Sequence, residues 1–273
     1  MALTRAHRIY FAAVGLFALW VGVWGYPVPA EIKRALPWHV PPLHARFIAS
    51  MYLSATIMLL GAWWFARRRT EVTIVAPMTS IWTGWLLVVS LLHLPEFDFN
   101  HKPVWFWFFA YIVYPIVGAW LAWKDRAVIK ASGAPADAAG GAARMPAWLI
   151  GSMASLGVVC LVLALLLFFV PAQMTTQWPW KISTLLAQIY SGPFLAYGIG
   201  SLMMARNAGW PAARLPLFSL AAFATLVLLA SILHSGLFTA GSISAIVWFG
   251  GFAVATVLLG TGAVMARNNG ERP

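Results

Sequence analysis

Eight apolar runs set the limits on what this chain can fold into, each close to the roughly 20 residues that cross a hydrocarbon core as a helix. Its charges sit mostly in the gaps between the runs or at their ends. At 62% hydrophobic and 9% charged, a soluble domain of this length would lack the polar residues to cover itself. Within a bilayer the backbone must satisfy its own N–H and C=O groups, so runs of this length become helices. The expected fold is an all-α integral membrane protein with eight transmembrane helices. They are read at about 8–26, 44–66, 74–94, 104–123, 148–170, 182–205, 214–235 and 243–265. Pro115 lies inside the fourth and should bend it.

The runs fall into two sets of four. A shift of 141 residues carries His93 onto His234, Phe97 onto Phe238, Trp107 onto Trp248 and Arg126 onto Arg267. A shift of 142 carries Pro29-Ala30 onto Pro171-Ala172, Pro37-Trp38 onto Pro179-Trp180, and Ala45 onto Ala187. These identities predict two copies of one unit, residues 1–130 and 148–273. Between them 131–147, ASGAPADAAGGAARMPA, reads as a cytoplasmic linker. Four helices per copy is an even number, so both copies share one orientation. The repeat is therefore parallel, with its pseudo-axis along the membrane normal, unlike an inverted transporter repeat.

Most Lys and Arg fall at the ends and in the even-to-odd gaps, including Arg67, Arg68, Arg69, Lys124, Arg126 and Arg206. Both termini are then cytoplasmic. The first run lacks a convincing cleavage site and is expected to stay as a helix. The net charge of +11 follows from the same bias and does not indicate a nucleic-acid partner. A single cysteine, Cys160, excludes an internal disulfide. Between the first two runs, AEIKRAL is expected to form a turn or two at the membrane surface, while 171–181 is expected as a loop. Trp105, Trp107, Trp178 and Trp180 near the outer surface read as an aromatic belt. Gly192, Gly198, Gly200, and Gly250-Gly251 with Gly260 and Gly262, read as close helix contacts.

Chemistry concentrates on the outer side, where His39, His44, His93, His101 and His234 fall with Glu31, Glu96 and Asp98; His7 alone falls on the inner side. Arg46 stands one shallow turn into the second helix. It can snorkel outward, pair with Glu96 or Asp98, or hold an anionic group through its fork of donors. The matching residue in the second copy is Gln188. His44 is two residues away, on another face, and is expected to meet water. Arg46, His44, His93 and His234 are thus the candidate ligand-binding residues for a small ligand at the outer face. The series His93, Glu96, Asp98 and His101 contains metal-ligand types, so a metal ion is one candidate cofactor. Haem iron held by His93 or His234 is another. Structural hydrogen bonds in the turns account for the same histidines. In the second copy Leu237 and Thr239 replace Glu96 and Asp98.

No P-loop, HExxH or GxSxG is present. Two readings of function remain. One is a membrane protein that binds or transports a small ligand, or serves as a subunit of a membrane complex with other subunits or further copies of itself. The alternative is an outer-face metal- or haem-dependent membrane enzyme. The stretches PLHARFIASMYL at 42–53, HLPEFDFN at 93–100 and WFWFFAYIVYP at 105–115 resemble a group of bacterial polytopic membrane proteins with no assigned activity. The resemblance implies a multi-pass protein of the bacterial cytoplasmic (inner) membrane, in contact with the lipid bilayer, and nothing about catalysis.

Overall fold

The structure is a computed structural model that describes residues 1–38, 40–131, 144–207 and 209–270, without the side chains of Asn207, Asn269 and Gly270. His39 and most of the 131–147 linker therefore lie outside the described residues. The long helices are α1 (Arg5–Gly25), α2 (Pro42–Phe65), α3 (Val75–Leu92), α4 (Lys102–Ala131) and α5 (Ala147–Phe169). After the short α6 (Pro171–Gln177) come α7 (Thr184–Asn207), α8 (Trp210–Leu233) and α9 (Ile243–Gly270). Among the described residues there is no strand, only isolated bridges from Ala2 to Arg68 and from Arg144 to Gly209.

The ends follow local chemistry. Proline opens α2, α6 and α8 within the first two positions, where a helix N–H has no partner to lose. AEIKRAL does form a tight turn, a 3₁₀ helix over Pro29–Arg34. The outer stretch at 171–181 is not all loop, because α6 occupies most of it. Pro115 leaves α4 continuous. The carbonyls at the proline gain outside donors: Tyr10 Oη donates to Tyr114 O at 3.1 Å, and Ser80 Oγ to Pro115 O at 2.7 Å.

Neighbouring helices pack as α1 with α2, α3 with α4, α5 with α7, and α8 with α9. Across these pairs α2 packs on α8 and α3 on α7. The result is an inner set of α2, α3, α7 and α8, flanked by the other long helices. Among the described residues seven helices are long and apolar enough to cross a membrane: α1, α2, α3, α4, α5, α8 and α9. The exception to the expected eight is α7. It is 24 residues long, about 36 Å, so length is not the cause. It is one of the inner helices and carries Gln188, Ser191, Gly192, Gly198, Gly200 and Ser201 toward protein rather than lipid. Small and polar residues at such contacts let backbones approach and bond. A methyl on Gly198 would lie 3.0 Å from the Leu161 backbone nitrogen, so the expected close contact is present there.

Positions related by the 141- and 142-residue shifts sit in like surroundings. Trp107 Nε1 donates to Ser90 Oγ, and Trp248 Nε1 to Ser231 Oγ, each at 2.9 Å. Trp38 meets Trp107 with ring centroids 5.0 Å apart, and Trp180 meets Trp248 at 4.8 Å. Gly15 lies under Leu60 and Gly157 under Leu202, so closely that an added methyl would approach within 2.7 and 2.8 Å. The two isolated bridges are related by the same shifts.

Candidate functional site

His44, His93, His101 and His234 gather at one end of the bundle, and His7 lies at the other. At the histidine-rich end, the last turns of α3 and α8 stop at His93 and His234, which take nearly the same non-helical backbone angles. Each then reaches across to the opposite half. His234 Nε2 lies 2.5 Å from Arg46 Nη1, and His93 Nε2 lies 2.5 Å from Gln188 Oε1. The contacts are crossed because α2 packs on α8 and α7 on α3.

The two matched pairs have opposite polarity. A guanidinium can only donate, so His234 Nε2 accepts and its ring is uncharged. Gln188 spends its amide on Phe168 O at 2.9 Å, leaving Oε1 to accept from His93 Nε2. Burial first, and the Arg46 charge second, hold the His234 pKa below the ordinary imidazole value. Arg46 also donates from Nε to Tyr26 O at 3.1 Å. The Tyr26 hydroxyl in turn donates to Leu226 O at 2.8 Å and ties α1 to α8. Arg46 is partly buried and, among the described residues, forms no ion pair with a carboxylate.

Several expectations change. Arg46 does not pair with Glu96 or Asp98, which are exposed in the turn after α3. His44 does not meet water: it is 7% exposed, with Nδ1 2.9 Å from the Tyr190 hydroxyl. Of the four ligand-binding candidates, Arg46 and His234 touch, His93 meets Gln188, and His44 lies apart on Tyr190. The series His93, Glu96, Asp98 and His101 is not gathered into one site. Asp98 accepts from the backbone and amide of Asn100, and His101 Nε2 lies 3.3 Å from Lys33 O. Among the described residues no group of three or more His, Cys, Asp or Glu is placed to hold a metal ion. Trp107, Trp178 and Trp180 are buried in ring clusters, leaving Trp105 as the exposed member of the expected belt. Gly250, Gly251 and Gly260 face open space, although Gly262 does meet Leu149.

Three polar arrangements escaped the sequence reading. At the opposite end, His7 Nε2 donates to Asp125 Oδ2 at 3.0 Å and Arg69 Nη1 to Asp125 Oδ1 at 3.1 Å. An acid within the otherwise basic run Lys124–Lys130 was the available signal. In the middle, Tyr197 joins Ser54 and Ser219 and links α7 with α2 and α8. Tyr52 similarly meets Tyr111 across α2 and α4.

Together these features define a helical protein whose apolar helices suit a lipid bilayer and whose polar groups cluster at the helix ends and along the inner seams. No protein-family model matches the chain, and neither a curated protein nor a solved structure matches it.

Proposed function

We propose that the chain is an eight-span protein of two parallel four-helix repeats, with both termini on the cytoplasmic side of a bacterial inner membrane, and that it binds a small anionic ligand at its outer face. The carrying observation is Arg46: a partly buried guanidinium, bonded to an uncharged histidine and a carbonyl, with no carboxylate partner among the described residues. A cation is expensive near membrane depth unless an anion or water meets it. Its planar fork suits a carboxylate or phosphate oxygen pair. His234 fixes the fork without neutralising it.

The eighth span in this reading is α7, whose polar residues face the inner seams. The like surroundings of matched residues support the repeat, and the Lys/Arg bias supports the orientation. Gln188 at the matched position carries no charge, so one anion site per chain follows.

The test is thermal unfolding of the purified protein in detergent with inorganic phosphate or succinate at constant ionic strength. A ligand at about 100 times its Kd stabilises by about 2.7 kcal/mol, a readable rise in Tm. Arg46→Gln, which copies the second half, should remain folded and lose that rise. Equal stabilisation of both proteins, or of neither, refutes the site.

A further inference from the structure

Matched positions in the two halves enclose very different volumes. In the first half, Phe17, Trp82, Tyr111 and Tyr114 crowd a cavity of about 20 Å³ among α1–α4. The same shifts carry these four onto Val159, Phe223, Phe252 and Ala255. Those residues line a cleft of about 730 Å³ between α5 and α9, with α7 and α8 behind it.

The cause is a set of missing ties. In the first half α1 is held to α4 at three levels: by His7 on Asp125, by the Tyr10 hydroxyl on the Tyr114 carbonyl, and by Phe17 against Phe106 at 5.2 Å. The second half has Leu149 and Ala266, Ser152 and Ala255, and Val159 and Val247 at those positions. None of these pairs can reproduce its counterpart. Leu149 still lies over Gly262 near one end, where an added methyl would sit 3.1 Å away. Farther along α9, Gly250 and Gly251 have nothing within 4 Å of an added methyl.

We propose that this cleft binds a long-chain neutral amphiphile, an apolar tail with an uncharged hydrogen-bonding headgroup, which enters sideways from the bilayer. Its volume falls in the range of roughly 300–1,000 Å³ usual for ligand sites. Residues Ile243 to Leu259 of α9 run along it for about 24 Å, a length suited to an extended tail. Among the described residues no charged side chain lines it, which selects a neutral headgroup. The hydroxyls and amide of Thr176, Gln177 and Ser244 lie toward the α6 end, with the tail walls beyond them. Trp178 forms part of that same wall and is 7% exposed. Neither Arg46 nor His234 lines the cleft, so this site stands apart from the anion site.

The experiment uses the full chain in phosphatidylcholine vesicles with a photoactivatable diazirine monoacylglycerol, and crosslinks are mapped by peptide mass spectrometry. Labelling of 156–163 and 247–255 should exceed labelling of the exposed lipid-facing ring Phe109 on α4 by roughly tenfold, a clear preference in binding. Gly251→Trp adds an indole from a cleft-lining position with nothing within 4 Å of its Cβ and should abolish the excess. Gly250→Trp, equally unhindered but outside the lining, should keep it. Ala255→Tyr, copying Tyr114, is a second closure. Labelling no stronger than at Phe109, or unchanged by Gly251→Trp and Ala255→Tyr, overturns the proposal. So does equal labelling by a fatty-acid probe of the same chain length, or crosslinking of the cleft to a second copy of the chain.

Discussion

Asp125→Ala should be the most damaging single truncation at the basic end of the bundle. The carboxylate is 2% exposed and accepts two charge-assisted bonds, from His7 at 3.0 Å and Arg69 at 3.1 Å. His7 is 1% exposed, and its other ring nitrogen lies 2.8 Å from the Thr4 hydroxyl, so it has no route to water. Arg69 is 15% exposed and can turn outward. A bond to a charged group contributes about 1.5–3 kcal/mol, and leaving a buried partner unpaired adds to the loss. The Arg69 bond belongs at the low end and the His7 bond at the high end, giving about 3–5 kcal/mol in all, the usual cost of breaking a buried pair. The second half suggests the control. His7→Leu with Asp125→Ala reproduces Leu149 and Ala266, leaves no orphaned imidazole, and should recover about 1–3 kcal/mol. Equilibrium unfolding in mixed micelles, titrated with sodium dodecyl sulfate, reads all three proteins. A loss below about 1 kcal/mol for Asp125→Ala, or a double variant less stable than the single one, would refute the reasoning.

Ser90→Ala and Ser231→Ala each orphan one indole N–H and should cost about 0.6–1.7 kcal/mol in the same assay. Values differing by more than the whole effect would show that the matched tryptophans are not in like surroundings. The depressed His234 pKa gives a pH dependence whose sign can be worked out. Between its folded value and the unfolded value of about 6.5, the unfolded chain binds more protons, so stability rises with pH across that window and falls on acidification. Arg46→Gln removes the charge contribution and should narrow the window, which Tm measured against pH will detect. Metal analysis of protein purified without chelators should find well under one ion per chain, because His93, Asp98 and His101 already have partners. Near-stoichiometric metal would contradict that arrangement. Co-expressed fragments split within 131–147 should purify together, because α2 and α3 bury their inner faces on α8 and α7; a first half that is stable alone would refute that dependence.

The long helices were legible because a bilayer leaves a 20-residue apolar run little alternative to a helix. The matched shifts singled out His93 and His234 and set Arg46 against Gln188. Their partners were not legible. Which inner helices touch is a long-range packing outcome, and the crossing of α2 onto α8 decides that Arg46 meets His234 instead of Glu96. The burial of α7 was also hidden, since Gln188, Ser191 and the nearby glycines lower its apolar character for reasons that appear only when its neighbours are known. Asp125 resembled an ordinary solvated charge among Lys124, Arg126 and Lys130. The cleft left the faintest trace. It arises from side chains that are too short, Val159 and Ala255, and shortness means little until each is set beside Phe17 and Tyr114.

Those substitutions share a direction. The first half has Arg46, His7 and Asp125 where the second has Gln188, Leu149 and Ala266. It also has large rings where the second has open volume. Two equivalent halves would offer each site twice. Here the polar pairing that suits an anion depends on a cation from one half and a histidine from the other, while the cleft depends on ties that only the first half retains. On the proposed reading, divergence at these nine matched positions would leave a duplicated frame with a single anion site and a single lateral site. Both differences pass through the inner helices: Arg46 stands on α2 where Gln188 stands on α7, and α7 and α8 form the back of the cleft.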